Sequence, residues 1–141
     1  MVAVLFSLAG RIGRLTFWIG AIGLFLGLLA YQYLTGGLVL ILIGYAIWAY
    51  PQAALLVKRL HDVNRSGWWA LAPAAALVLG GVIFGLGDTA GTASPLRMIS
   101  FSVPMACGIG FALGFLAWVG SKAGSVRENR FGPPPEPFDG D

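Results

Sequence analysis

The side chains able to do chemistry lie in three short segments of this 141-residue chain, and most of them are basic. Arg11 and Arg14 form the first group, the run 58–65 (KRLHDVNR) forms the second, and the third lies at 122–130, near the carboxyl end. The three segments hold eight basic and two acidic residues, a formal charge of +6. Arginine side chains present a planar fork that matches phosphate oxygens. The pattern therefore indicates a site for anionic lipid headgroups or phosphate.

This predicted site has eleven candidate residues: Arg11, Arg14, Lys58, Arg59, His61, Asp62, Asn64, Arg65, Arg127, Asn129 and Arg130. The expected donors are Arg11, Arg14, Arg59 and Arg65. If the run 58–65 is helical, Asp62 lies within pairing distance of Lys58 and Arg59, so its carboxylate can hold an arginine in place. The alternative interpretation is that these charges only set membrane topology and cap helices.

Catalysis is not predicted. His61 and Asp62 are adjacent, and neighbouring side chains on a helix point about 100° apart, so adjacency alone does not build a base oriented by a carboxylate. One cysteine, Cys107, and one histidine do not make a metal ligand set. No phosphate-binding glycine loop or HExxH motif is present. We therefore expect no enzyme activity, no cofactor and no metal.

Composition places the chain in a membrane. Hydrophobic residues make up 57% of it and charged residues 11%, against roughly 25% charged in an ordinary soluble domain. The mean hydropathy is +0.80. The expected partner is membrane lipid, most simply anionic lipid, while a second copy or another membrane protein stays open. Nucleic acid is excluded, because it would need a basic surface on a soluble domain.

Four apolar blocks, at about 17–34, 38–57, 68–87 and 98–120, have the length of membrane spans. Each holds about twenty residues, which as a helix crosses a hydrocarbon core of roughly 30 Å. The sequence thus predicts an all-α membrane protein: a four-transmembrane-helix bundle forming one domain over 1–131, with a cytoplasmic loop at 58–67. A short interfacial segment (1–8) precedes it, and a mobile proline-rich tail (132–141) follows it.

Eight of the nine basic residues fall on one predicted side of the membrane, and Arg97 falls on the other. Basic residues are enriched in cytoplasmic loops, so both termini and the central loop are predicted to be cytoplasmic. A three-span alternative, with one block re-entrant, would put the termini on opposite sides.

Polar and small residues inside the spans are few. Glycines four residues apart predict close helix packing, and they occur in three spans as Gly23/Gly27, Gly81/Gly85 and Gly110/Gly114. In the second span Gln52 follows Pro51, and it either satisfies backbone groups freed by the proline or lines a polar cavity. The second possibility keeps open an alternative function, a transporter or oligomeric channel component for a small neutral solute.

Three motifs carry a resemblance to a known family: residues 10–18 (GRIGRLTFW), 58–62 (KRLHD) with 66–69 (SGWW), and 129–133 (NRFGP). In this order they resemble the signature of bacterial inner-membrane proteins of the YhaH and YhaI type, a domain of unknown function numbered eight-zero-five. The resemblance runs from Gly10 to about Pro135, with departures at Lys58, Glu128 and Phe131. It implies a small multi-pass protein of the bacterial cytoplasmic membrane and no established activity.

Overall fold

The computed structural model describes residues 7–35, 38–88 and 95–135, and in this part the chain forms four α-helices. Helix α1 spans Arg14–Leu34 and α2 spans Leu38–Asp62; a 3₁₀ turn, Gly67–Ala70, leads into α3, Leu71–Asp88, and α4 spans Pro95–Ser121. Within the described ranges there is no β-strand, only an isolated bridge between Asn129 and Gly132. The predicted all-α class is confirmed.

Three segments are long and apolar enough to cross a membrane: Arg14–Leu34, Gly67–Leu86 and Ser102–Ser121. Most large apolar side chains on them are exposed, as expected where lipid is the solvent. These segments support a multi-pass membrane protein. Helix α2 has 25 residues, and its crossing of the bilayer, and with it the count of four spans, stays a prediction.

The described residues divide into two compact units. The first, which we call the clamp unit, contains 7–35, 38–69 and 119–135; the second contains 70–88 and 95–118. In the clamp unit α1 packs against α2. A Cβ added to Gly20 would lie 2.8 Å from Leu55 Cδ1, so the missing side chain lets the two helices approach. The core of this unit includes Phe17, Leu55, Leu60 and Val119, all at most 1% exposed.

Two polar side chains of α1 form hydrogen bonds to α2. Gln32 Nε2 donates to Tyr45 Oη at 2.7 Å, and Tyr31 Oη donates to the Leu40 carbonyl at 2.6 Å. Helix α2 continues through Pro51, which is buried, and the neighbouring Gln52 is half-buried. The Tyr45 hydroxyl is therefore engaged by Gln32.

In the second unit, α3 and α4 approach closely at two glycines that are not among the pairs spaced four residues apart. A Cβ on Gly80 would lie 2.8 Å from the Pro104 carbonyl, and a Cβ on Gly108 would lie 2.7 Å from the Ala76 carbonyl. By contrast, no described atom outside the helix's own backbone lies within 4 Å of a Cβ built on Gly85, Gly110 or Gly114. Of the predicted packing glycines, Gly27 and Gly81 do have a neighbour, with Trp48 and Met105 3.5 Å from a built Cβ. The four-residue spacing thus identifies a flat helix face and not the neighbour that covers it.

Several predicted features lie outside the described residues. They are most of the interfacial segment (1–6), the centre of the first turn (36–37), the loop residues 89–94 and the end of the tail (136–141).

Candidate functional site

The carboxyl end of α2 is built around the carboxylate of Asp62, the last residue of the helix. Asp62 is only 2% exposed. Its Oδ1 accepts hydrogen bonds from Arg11 Nε at 3.1 Å and Arg11 Nη2 at 2.9 Å. Its Oδ2 accepts from Arg59 Nη1, one helical turn away. Two buried guanidinium groups thus share one carboxylate, and we call these three residues the arginine clamp.

Arg59 is fully buried and uses every N–H group it has. Besides the bond to Asp62, its donors reach four backbone carbonyls: Ile12 at 3.3 Å, Val119 at 3.2 Å, Gly120 at 3.4 Å and Lys122. Val119 and Gly120 lie in the last turn of α4, where helix carbonyls have no partner within the helix. Arg59 therefore caps α4, and its positive charge suits the negative end of that helix dipole.

Arg11 likewise donates to backbone carbonyls, in the segment that follows α4. Its remaining donors reach the backbone carbonyls of Arg127 at 3.0 Å, Gly132 at 3.2 Å and Ser125. With the two bonds of Nε and Nη2 to Asp62, all five of its N–H groups are engaged. The clamp therefore ties the amino-terminal segment, the end of α2 and residues 119–132 into one structure.

A second layer of hydrogen bonds holds the carboxyl-terminal segment against the clamp. The Asp62 carbonyl accepts from Ser125 N at 2.8 Å and Ser125 Oγ at 2.9 Å. Asn129 Nδ2 donates to the His61 carbonyl at 3.0 Å, and Asn129 Oδ1 accepts from Phe131 N at 2.9 Å. Gly124 passes so near the Asp62 carboxylate that a Cβ there would overlap it. A glycine is therefore required at this close approach.

His61 lies flat against Phe131, with ring centroids 3.9 Å apart and planes 7° apart. The guanidinium of Arg130 lies 4.7 Å from the Phe131 centroid, within cation–π distance. His61 Nδ1 is 3.3 Å from the Gly10 carbonyl. Burial lowers the pKa of His61; the Gly10 hydrogen bond opposes the shift, and repulsion from Arg130 adds to it. Burial of His61 therefore favours its neutral form.

The clamp carries an unbalanced positive charge. Burial lowers the pKa of the Arg59 guanidinium, the charge and hydrogen bond of Asp62 raise it, and the nearby charge of Arg14 lowers it further. Burial also lowers the pKa of Lys58, which is 4% exposed. With two guanidiniums against one carboxylate, the pairing of Asp62 leaves an excess of one positive charge inside the fold.

The structure sorts the predicted site residues by burial, and His61 and Asn129 are half-buried. Arg11, Lys58, Arg59 and Asp62 are buried, whereas Arg14, Asn64, Arg65, Arg127 and Arg130 are exposed. Arg11 and Arg59, two of the four expected headgroup donors, each use all five N–H groups in hydrogen bonds within the fold. Gln52 is not among the clamp partners, and no group of three His, Cys, Asp or Glu side chains able to hold a metal occurs in the described ranges.

Gly124, Ser125 and Gly132 contribute to the site but were not predicted from the sequence. A signal for Gly132 was present in the NRFGP motif, and its φ of +118° shows why glycine stands there. Gly124 and Ser125 lie in a polar stretch with no distinctive spacing, so only their contacts with Asp62 reveal their part.

Comparison with known proteins gives a family and no activity. The family model DUF805, described as "Protein of unknown function (DUF805)", matches residues 5–133. Two curated relatives, each named "Uncharacterized protein YiiR" and found in Escherichia coli strain K12 and Escherichia coli O157:H7, are 46% identical over 80 residues. The matched part covers 53% of this chain and 54% of each relative, so the chain spans about half the length of the curated relatives it matches. No solved structure matches.

Proposed function

Because the chain belongs to the DUF805 family, as its three motifs indicated, and the family description assigns no activity, we propose a function from the exposed basic side chains. The protein is a multi-pass protein of the bacterial inner membrane that binds anionic lipid headgroups at its cytoplasmic face. The binding surface, called here the basic surface, consists of five exposed residues: Arg14, Arg65, Lys122, Arg127 and Arg130.

One observation carries the proposal: the clamp satisfies the buried arginines internally and leaves these five basic side chains exposed on the same unit. Glu128 is the one exposed acidic residue among 7–35, 38–69 and 119–135. Each basic residue near an anionic leaflet gains about 1 kcal/mol of attraction. The basic surface therefore has both the charge and the exposure that anionic lipid requires.

The orientation is part of the proposal. Eight of the nine basic residues belong to the clamp unit, and basic residues favour the cytoplasmic side. Four crossings, with α2 as the second, put both termini and the loop 58–67 on that side. Trp68 and Trp69 are 79% and 53% exposed, which suits aromatic anchors at the headgroup level.

No catalysis is included in the proposal. The acid next to the single histidine, Asp62, is held by two arginines, and His61 is packed against Phe131. Both Asp62 oxygens accept hydrogen bonds from arginines, so this carboxylate does not orient His61 as the acid of a catalytic triad orients its histidine.

Lipid selection in nanodiscs tests the function. The purified full chain is placed in nanodiscs of phosphatidylcholine with a minor share of phosphatidylglycerol, and the lipid retained after mild extraction is quantified by native mass spectrometry. Substituting Arg14, Arg65, Arg127 and Arg130 together by Gln should abolish the enrichment of phosphatidylglycerol, because about 1 kcal/mol is lost per residue. Arg97→Gln, at the basic position predicted for the opposite side, is the matched control and should keep the enrichment. Equal enrichment in the fourfold variant and the wild type, with both correctly folded, would refute the proposal.

A further inference from the structure

A cleft of about 230 Å³ opens beside the arginine clamp within the clamp unit. Arg14, Arg59 and Asp62 line it, together with the segment around Val126 and the prolines Pro134 and Pro135. Pockets for drug-sized ligands usually measure about 300–1,000 Å³. This cleft is smaller, with the size of a phosphate group and a short polar substituent.

Charge makes the cleft suitable for an anion. The charged residues that line the cleft are Arg14, Arg59 and Asp62, and Arg11 adjoins it as an ion-pair partner of Asp62. Three positive charges against one negative charge leave a local charge of +2. Because Arg59 and Asp62 are nearly inaccessible to water, the positive charge that the clamp contributes is weakly screened. A bound anion would offset it.

Arg14 has the donors that such an anion needs. Its side chain is exposed and has no hydrogen-bond or ion-pair partner in the described part of the chain. The clamp arginines, in contrast, contribute charge and no free N–H group. Arg14 is also the first residue of α1, and Gly13 before it supplies no side-chain cap, so the positive end of the α1 dipole adds to the attraction.

We propose that this cleft binds one phosphate group, held directly by Arg14 and attracted by the net charge of the clamp. The inference rests on the proposed function for its source of phosphate, since the basic surface at headgroup level would supply a phospholipid. Soluble phosphate shares the chemistry. The cleft then gives one tight, saturable site, in contrast to the diffuse attraction of the basic surface.

The test separates a discrete site from diffuse attraction. Short-chain phosphatidylglycerol is titrated into the full chain in neutral detergent, and the first bound lipid is followed by native mass spectrometry; inorganic phosphate is titrated in parallel and followed by thermal shift. Arg14→Gln removes the donor. Val126→Trp adds bulk to the wall of the cleft without changing charge, at a position that is 90% exposed and tolerant of a larger side chain. Arg130→Gln is the control that removes one charge outside the cleft.

We expect Arg14→Gln and Val126→Trp each to weaken the first lipid by about tenfold or more, the value of a charge-assisted hydrogen bond, and Arg130→Gln to have a clearly smaller effect. A response to inorganic phosphate alone, with the same dependence on Arg14 and Val126, would support the cleft and identify soluble phosphate as the source. The inference is overturned if Val126→Trp binds like the wild type, or if Arg14→Gln loses no more than Arg130→Gln, with melting temperatures preserved. The enrichment of phosphatidylglycerol in nanodiscs would still be expected in that case. Failure of the cleft proposal is therefore distinguishable from failure of the proposed function.

Discussion

Replacing Asp62 by Asn should destabilise the clamp unit by about 3–5 kcal/mol, the cost of removing one partner from a buried ion pair. The side chains are nearly the same size, so the substitution tests charge and hydrogen bonding with little change in packing. Asp62 accepts three hydrogen bonds from two guanidiniums. Asn keeps one acceptor oxygen and turns an amide donor toward one of the arginines.

The magnitude follows from burial. Asp62 is 2% exposed and Arg59 is fully buried, so water cannot replace the lost carboxylate. Both arginines keep their backbone carbonyl partners, which limits the loss to the ion pairs and their bonds. For a chain of this length, 1 kcal/mol shifts the melting temperature by roughly 4 °C. The expected fall is therefore about 12–20 °C.

Thermal unfolding in detergent, followed by intrinsic tryptophan fluorescence, measures this effect. Glu128→Gln is the matched control: it makes the same carboxylate-to-amide change at an exposed position of the same unit, where an effect within about 0.5 kcal/mol is expected. If Asp62→Asn melts within about 2 °C of Glu128→Gln, the clamp does not stabilise the fold and the reasoning fails.

Three further predictions use the same measurement. Gly124→Ala should lower the free energy of unfolding by about 1–3 kcal/mol, because its Cβ would overlap the clamp carboxylate. The control Gly114→Ala, in open space on α4, should be neutral or stabilising by up to about 1 kcal/mol. Equal melting temperatures of the two variants would contradict the close approach of Gly124 to Asp62. The lowered pKa of His61 means that the unfolded chain binds its proton more readily, so stability should decrease as pH falls below about 6.5 and level off below the folded-state pKa. His61→Phe, which can still stack on Phe131, should remove this slope between pH 5 and 8, and a slope that persists would assign it to another group. Gly108→Ala should destabilise the second unit by about 1–3 kcal/mol, since its Cβ would meet a carbonyl of α3; unchanged unfolding of that unit would argue against the observed helix register.

The partners of the clamp show where prediction from the sequence stops. The pairing of Asp62 with Arg59 follows from a helical spacing of three residues, and it is present. Arg11, however, lies 51 residues before Asp62, and its carbonyl acceptors lie up to 121 residues after it. Nothing local distinguishes Arg11, which is buried, from Arg14, which is exposed. Sequence reasoning gave the two arginines one role, and the fold gives them different ones.

The sequence by itself determined the all-α class, the family and the gathering of basic residues into three segments, because hydrophobic length, motif and charge are properties of contiguous residues. Only the tertiary structure decided which arginines are spent inside the fold, which remain exposed, and which glycines let helices approach. These outcomes depend on burial away from water and on carbonyls from segments distant in the sequence. Folding alone produces that burial and brings those carbonyls within hydrogen-bond distance.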